Sequence, residues 1–339
     1  MNTHLRCLNA TEQPHPRSTP PRRAAPGVVV TVLLLTLTAL ATACSGPHQA
    51  ARDRAPRTPS ASAGTAPLAP EQGALLGHYY GAGTVARTDA RIGRTPAVHL
   101  TYYDWSDDWA RAPATRTDFA QGRIPLINWE PFGIDFDDII GGELDDTIRR
   151  RADGAKALGR PFFLDFAAEM NEEEGWGGHD PDKYITAYRH IHDVFVDRGA
   201  TNVVWTWCPN VTDSPDAPPA MDYYPGDRYV DWTGVDGYNW GRSDPDFPWQ
   251  SFADLFADIY EQLAAKGKPV IIGEMGSDEA GGSKVSWIDG VVPALKARFP
   301  LIKAVVWFDV DKERHWRIDS SPSSLAAYRR LAQDPYLNP

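Results

Sequence analysis

Two glutamates follow strand-like runs of the sequence, where they could perform acid–base and nucleophilic chemistry. Glu169 comes just after the apolar run 161–167, and Glu274 comes after the run 269–273. A pair of carboxyl groups can cleave a glycosidic bond, because one donates a proton while the other acts as nucleophile or base. Trp and Tyr crowd the ends of similar runs, and their flat faces suit the C–H faces of sugar rings. These residue types indicate hydrolysis of a polysaccharide.

Short β-rich runs alternate with longer polar or amphipathic stretches through residues 71–339. The eight runs are residues 75–80, 97–103, 124–129, 161–167, 202–207, 232–238, 269–273 and 303–309. Helical patterns occupy residues 145–158, 181–198, 251–266, 284–298 and 321–331, whereas the first two connections show no clear pattern. Eight strands alternating with helices over about 270 residues predict an α/β fold, a single (β/α)8 TIM barrel.

A doubly wound open sheet is the rival architecture. No G-x-G-x-x-G follows the first run, and the sequence contains no G-x-x-x-x-G-K-[ST] motif. Active sites of TIM barrels lie at the C-terminal ends of the strands. The barrel therefore places Glu169 and Glu274, at the ends of strands four and seven, on one rim.

The first 70 residues have the composition of an export signal and a linker. Residues 1–43 contain four Arg and then the apolar run 28–43, which is typical of a signal peptide and short for a membrane span. Residues 40–44 resemble a bacterial lipobox, so Cys44 is the expected lipidation site; the alternative is an ordinary signal peptide cut nearby. Residues 44–70, rich in Ala, Pro, Ser and Thr, predict a flexible linker. We expect residues 71–339 to lie outside a bacterial membrane, lipid-anchored or secreted.

The charge balance excludes one class of partner. The chain carries a net charge of −11, which argues against nucleic acid because phosphate contacts need a basic surface. Cys208 is the only cysteine of the predicted domain, and beside a strand-like run we expect it to be buried and inert. We expect a monomer whose partner is a polysaccharide substrate.

Several segments, in order, resemble glycoside hydrolase family 26. Residues 166–171, which contain Glu-Met-Asn, together with Trp176 resemble the strand-four motif of that family. Residues 268–274 are similar to its strand-seven segment. Further similar pieces are residues 79–82, 129–131, 203–207 and 235–239.

The resemblance implies a retaining double displacement that needs neither a metal nor another cofactor. Glu169 would be the general acid/base and Glu274 the nucleophile, and Tyr238 would donate a hydrogen bond to the nucleophile. Trp307 is the expected floor beneath the sugar at the cleavage point. The other candidate substrate-binding residues are Trp129, Asn171, Trp176 and Trp205. Core packing is the alternative role for each Trp.

Two departures from the family pattern bear on the substrate. Many members have His before the acid/base, where this chain has Ala168, and Glu172 replaces a frequent Gly. The family implies β-1,4-mannan first, with β-1,3- or mixed-linkage glucan and β-1,3-xylan as alternatives.

Two other functions remain as rivals. One is a carbohydrate-binding lipoprotein without catalysis. The other is a metal-dependent deacetylase or phosphodiesterase. That enzyme would need metal ligands clustered at the strand ends, whereas the strand-like runs contain only two His, His78 and His99, and no H-E-x-x-H occurs.

The period of two along a strand yields one more expectation. Phe163, Asp165, Ala167 and Glu169 share a face of strand four. Asp165 would therefore point inward beneath the acid/base. Because a buried carboxylate needs a partner, we expect an Arg or His beside Asp165.

Overall fold

The computed structural model describes residues 66–81, 83–172, 175–176, 178–243 and 248–337. Eight parallel strands close into a barrel in chain order, with the last strand paired to the first. The strands are β1 (Leu75–Tyr79), β2 (Val98–Asp104), β3 (Ile124–Glu130), β4 (Phe162–Phe166), β5 (Val203–Trp207), β6 (Trp232–Asn239), β7 (Val270–Ser277) and β8 (Ile302–Phe308). The predicted (β/α)8 TIM barrel is confirmed.

Helices surround this barrel. They are α1 (Val85–Ile92), α2 (Pro113–Ala120), α3 (Phe136–Gly141), α4 (Asp145–Leu158), α5 (Pro181–Arg198), α6 (Phe252–Leu255), α7 (Ala257–Ala264), α8 (Lys284–Ala297) and α9 (Pro322–Gln333). The stretch predicted as one helix at 251–266 forms two, α6 and α7, which meet at Phe256. Helices α1 and α2 fill the two connections where the sequence pattern was unclear.

The bounds of α5 follow from its end residues. Asp180 caps the helix by accepting a hydrogen bond from the backbone N–H of Lys183, and Pro181 occupies the first turn, where no N–H is needed. Gly199 ends the helix in the left-handed conformation, with φ 73°. Local sequence therefore sets both ends of the helix that packs behind β4 and β5.

Alternation along the strands divides the core into two layers. Inward-facing side chains fill the barrel, and outward-facing ones pack against the helices. The inner layer contains Val98, Leu100, Leu126, Phe163, Val204, Trp232, Ile271, Ala304 and Val306. The outer layer includes Leu76, Ile127, Leu164, Trp205, Ile272 and Val305. The parity of a strand residue therefore decides whether its side chain can reach the barrel mouth.

The segment before β1 packs against the barrel. Leu68 and Ala69 contact the inner layer, and the indole N–H of Trp232 donates a 2.8 Å hydrogen bond to the carbonyl of Pro67. Trp232 begins β6, so this contact lies at the end of the barrel opposite the glutamates. The linker predicted for residues 44–70 is thus too long by several residues, because residues 67–69 belong to the folded domain.

The predicted signal peptide and Cys44 lie outside the described residues. Among the residues that the structure does describe, no helix is both long and apolar enough to span a bilayer. Export and lipidation therefore stay predictions.

Removing residues 66–70 should destabilise the domain. A chain of residues 71–339 loses the Pro67–Trp232 hydrogen bond and the cover that Leu68 gives to the inner layer. Each contact of this kind stabilises by about 1 kcal/mol, so we expect a total loss of about 1–3 kcal/mol against residues 66–339. Urea unfolding of both chains measures it, with Leu68→Ala in the longer chain as an intermediate case. Equal midpoints would show that the segment contributes nothing.

Candidate active site

Glu169 stands on an unusual piece of backbone. After β4, Ala167 and Glu169 both adopt the left-handed region, with φ 54° and 56°. For residues with a side chain this costs about 1–2 kcal/mol each, and such strain is concentrated at functional sites. The backbone N–H of Glu169 donates a 2.8 Å hydrogen bond to the carbonyl of Cys208, which ties this segment to the end of β5.

An amide holds the carboxylate of Glu169. The Nδ2 of Asn210 donates to Oε1 of Glu169 at 2.8 Å and to Oε1 of Glu172 at 2.9 Å. Asn210 lies in the loop after β5 and was missed by the sequence analysis, since no strand pattern extends to it.

Glu274 reaches the barrel mouth because β7 is irregular. Ile271 faces inward and Ile272 outward, so strict alternation would turn Glu274 outward. The register of β7 against β8 shifts between Ile272 and Met275, and Met275 faces outward again. This bulge lets Gly273 and Glu274 both face inward. Gly273 is required there, since a Cβ would lie 2.6 Å from Oδ1 of Asp236.

Two tyrosines donate hydrogen bonds to Glu274. The hydroxyl of Tyr102 bonds Oε1, and that of Tyr238 bonds Oε2. Burial, followed by the charge of Glu274, raises the pKa of both tyrosines, so they remain protonated donors. Two O–H donors stabilise the ionised form of a carboxyl group. Tyr238 occupies the position predicted for it, whereas Tyr102 was missed although its inward parity on β2 could have revealed it.

The two glutamates share one electrostatic environment. The charges of Glu274 and Glu169 both raise the pKa of Tyr238, after burial, and both raise the pKa of Asp236 as well. Glu169 is 8% exposed and Glu274 is 2% exposed, so little water screens the interaction. The structure thus brings both predicted carboxyl groups together at the C-terminal end of the barrel.

Asp165 points into the barrel as predicted, but its neighbours differ from the expected Arg or His. Asp165, Cys208 and Asp236 place their ligand atoms within 4.8 Å of one another. Burial, above all, raises the pKa of Asp165 to about 7 and raises those of Cys208 and Asp236 well above their usual values. These three side chains could offer ligand atoms to a cation, and a hydrogen bond between Asp165 and Cys208 also lets them share protons.

Three predicted sugar platforms lie elsewhere. Trp129 is stacked on Trp105 at 4.4 Å, and Trp205 packs against helix α5. Trp307 packs between Trp287 and Tyr328. All three are at most 4% exposed and face outward from β3, β5 and β8. Their prediction as substrate-binding residues is wrong. On these three strands the odd-numbered residues point outward to the helices, whereas the even-numbered neighbours of each Trp face the interior of the barrel.

Asn171 is also a structural residue. Its side chain is fully buried; its Nδ2 donates to the carbonyl of Asn210 at 3.0 Å and to Oδ1 of Asp213 at 2.8 Å. Its Oδ1 accepts from the backbone N–H of Asn210 at 2.8 Å. The predicted contact of Asn171 with substrate is therefore wrong, since this amide joins two loops of the protein.

Other aromatic side chains line the mouth. Phe308, the inward neighbour of Trp307, stacks on Tyr79 at 4.9 Å, and Tyr102 meets Tyr79 edge-on. Trp316 packs on Tyr238 at 4.8 Å. The parity of β1 and β8 could have identified Tyr79 and Phe308, whereas Trp316 lies in the loop after β8 and carries no such signal.

Trp176 lies beside Glu169, where the sequence placed it. Its indole N–H donates to the carbonyl of Ala168 at 2.6 Å, and its half-buried ring contacts Phe132 at 4.7 Å. Trp176 remains a candidate platform for a sugar next to the acid/base.

Comparison with known sequences decides the family. The profile of Glycosyl hydrolase family 26 matches residues 138–329, which contain both glutamates and run from α3 into α9. The chain belongs to glycoside hydrolase family 26. The resemblance seen in the sequence is thereby confirmed.

Two characterised relatives carry different names. Endoglucanase H of Acetivibrio thermocellus is 38% identical over 257 residues, which cover 73% of this chain and 28% of that protein. Mannan endo-1,4-beta-mannosidase of Bacillus subtilis is 29% identical over 193 residues, which cover 52% of this chain and 48% of that protein. The chain therefore spans less than a third of the first relative and about half of the second.

Solved structures agree on the fold. The mannanase man26 of Bacillus subtilis superposes with a TM-score of 0.55 at 20% identity, covering 76% of this chain and 84% of that one. At this identity the likeness shows a shared barrel.

Asp165 should make stability depend on pH. Its pKa is about 7 in the folded domain and about 3.9 in an unfolded chain, so the folded state binds more protons between these values. Stability therefore falls as the pH rises through that window. Asp165→Asn removes this contribution. The unfolding free energy of the variant minus that of the parent should therefore increase by a few kcal/mol from about pH 4 to about pH 7.

Urea unfolding across that pH range measures the difference. The matched control is Asp216→Asn, an exposed acid on the loop after β5. If Asp165→Asn tracked its parent at every pH, as the control should, Asp165 would not carry the proton.

Proposed function

We propose that the chain is a retaining, endo-acting glycoside hydrolase that cleaves a β-linked polysaccharide through Glu169 and Glu274. The unequal surroundings of these two carboxyl groups carry the proposal. Glu274 accepts hydrogen bonds from two tyrosine hydroxyls, which suit an ionised nucleophile. Glu169 shares the amide of Asn210 with a second carboxyl group, which suits a proton donor.

The reaction follows in two steps. The carboxylate of Glu274 attacks the anomeric carbon while Glu169 transfers its proton to the departing glycosidic oxygen. The glycosyl–enzyme ester is then hydrolysed: Glu169, now ionised, takes a proton from water, the water oxygen attacks the same carbon, and Glu274 leaves. Two inversions restore the original anomeric configuration.

The first candidates for the backbone sugar are mannose and glucose, which differ only in the orientation of the C2 hydroxyl, and the xylose of β-1,3-xylan is the further alternative. A relative named as a mannan endo-1,4-beta-mannosidase supports the expected β-1,4-mannan. Endoglucanase H supports a glucan, and it is more similar to this chain, at 38% against 29% identity and over a longer alignment. Ala168 in place of the family His also sets the chain apart from many members. A mixed-linkage or β-1,3-glucan is therefore the second candidate.

The protein is proposed to act outside the cell, anchored through a lipid on Cys44 or secreted. The apolar run 28–43 followed by Cys44 supports this location. Cell fractionation with Cys44→Ser beside the parent distinguishes the two forms, because only a lipidated parent would stay with the membrane while the variant is released.

A panel of polymers tests the reaction and identifies its substrate. Residues 66–339 should release new reducing ends from mannan, glucomannan, mixed-linkage glucan, β-1,3-glucan or β-1,3-xylan. Loss of a nucleophile or of a general acid costs about 10³-fold or more, so Glu274→Ala and Glu169→Ala should be nearly inactive on the same polymer. Glu261→Ala, an exposed acid on α7, is the control and should retain full activity.

An activated substrate separates the two roles. An aryl β-glycoside with a nitrophenol leaving group needs no protonation, so Glu169→Ala should still form the glycosyl–enzyme and stall there. Azide should then restore turnover with a β-configured glycosyl azide, whereas Glu274→Ala with azide should yield the α-configured product. Binding of a polymer with no cleavage by the parent would instead support the carbohydrate-binding lipoprotein.

A further inference from the structure

Asn210 joins Glu169 to a second carboxyl group. Its two amide hydrogens point to different acceptors, Oε1 of Glu169 at 2.8 Å and Oε1 of Glu172 at 2.9 Å. Because both oxygens bond one nitrogen, they cannot lie more than about 5.7 Å apart, the sum of the two lengths. Two carboxyl groups this close disfavour double ionisation, so one of them tends to retain a proton.

The orientation of the Asn210 amide is determined by its other contacts. The backbone N–H of Thr212 donates to Oδ1 of Asn210 at 2.9 Å, which leaves Nδ2 to face the two glutamates. The backbone N–H and carbonyl of Asn210 both bond the side chain of Asn171. The loops after β4 and β5 are thus joined on each side of this amide, and Asn210 cannot easily follow Glu169 if that side chain moves.

Glu172 belongs to the same turn as Glu169. Its backbone N–H donates to the carbonyl of Glu169 at 3.1 Å, so the spacing of three residues places both side chains on one side of the turn. Glu172 is half-buried, and its charge is therefore less screened than that of a surface acid. In the sequence it stands where the family often has Gly, which supplies no charge.

Other ionisable groups also face Glu169. Asp165 lies below it on β4, Asp236 and Tyr238 face it from β6, and Glu274 faces it from β7. Asp165 and Asp236 have raised pKa values, chiefly through burial, which reduces their negative charge at neutral pH. Glu274 serves the reaction itself, whereas Glu172 is an acidic neighbour whose charge can be removed without touching either predicted catalytic group.

We propose that Asn210 is a positioning residue for the acid/base, and that the charge of Glu172 keeps Glu169 protonated at neutral pH. The inference rests on the proposed function, since it assigns the regulation of the same proton donor. It assigns roles to two residues outside the predicted catalytic pair: Asn210, which bonds Glu169, and Glu172, which bonds the amide of Asn210.

Removing the charge of Glu172 should move the basic limb of the pH profile. With Glu172→Gln, Glu169 loses a neighbouring negative charge and gives up its proton at lower pH. The basic limb of kcat/KM, which reports the proton donor, should shift down by about one pH unit, while the acidic limb and the maximum rate stay within about threefold. Glu261→Gln, the same substitution on exposed α7, should leave the profile unchanged.

A titration without turnover separates this inference from the proposed function. Carboxyl ¹³C NMR of Glu169, assigned with Glu169→Gln, should show ionisation at lower pH in Glu172→Gln than in the parent. If no polymer were cleaved but this shift appeared, the coupling would stand and the proposed reaction would fail. If Glu169 ionised at the same pH or at higher pH in Glu172→Gln than in the parent, the proposed role of Glu172 would be wrong, whatever the activity.

Asn210→Ala tests the positioning role. Losing the amide frees the Glu169 carboxyl group from its fixed place, so kcat should fall about tenfold or more with little change in KM. The activated aryl glycoside, whose first step needs no proton donor, should lose much less in that step. Thermal unfolding checks that the variant is folded. Equal losses on both substrates would show that Asn210 merely supports the loop and would overturn the proposal.

Discussion

Like-charge repulsion is the constraint on which this barrel mouth depends. Four carboxyl groups, Glu169, Glu274, Asp165 and Asp236, lie buried within one electrostatic environment. They cannot all be ionised in so dry a place. At the mouth, hydroxyl and amide groups donate hydrogen bonds to Glu274 and Glu169. Deeper in the barrel, raised pKa values favour the protonated forms of Asp165 and Asp236. The proposed catalytic pair, with one charged and one neutral member, is a natural outcome of that arrangement.

Placing these groups requires departures from regular structure. A bulge in β7 turns Glu274 inward, and left-handed backbone at Ala167 and Glu169 carries the chain off the end of β4. Both features cost free energy, which the large outer core and the Asn171 contacts between loops offset. The strained residues therefore lie at the site itself, and the packing around them holds the two carboxyl groups in place.

The fold could be read from the sequence because its signals are local. Eight β-rich runs, the Asp180–Pro181 start of α5 and its end at Gly199 all follow from short-range physical chemistry. The site could be read only in part. Strand parity applied to β3, β5 and β8 would have excluded Trp129, Trp205 and Trp307 and favoured Phe308. The same rule would have rejected Glu274, since no alternation pattern reveals a bulge; resemblance to a family found that residue.

What lay beyond sequence reasoning is the set of loop contacts. Asn210 and Trp316 lie outside regular elements, so neither a period of two nor a period of 3.6 constrains them. They reach the mouth because parallel strands deliver every βα loop to the same end of the barrel. In the proposed function, a barrel keeps one glutamate on a strand and one just after a strand end, and a loop side chain such as Glu172 changes their protonation. Substrate preference and pH range can then vary within a family while the catalytic pair and its scaffold remain the same.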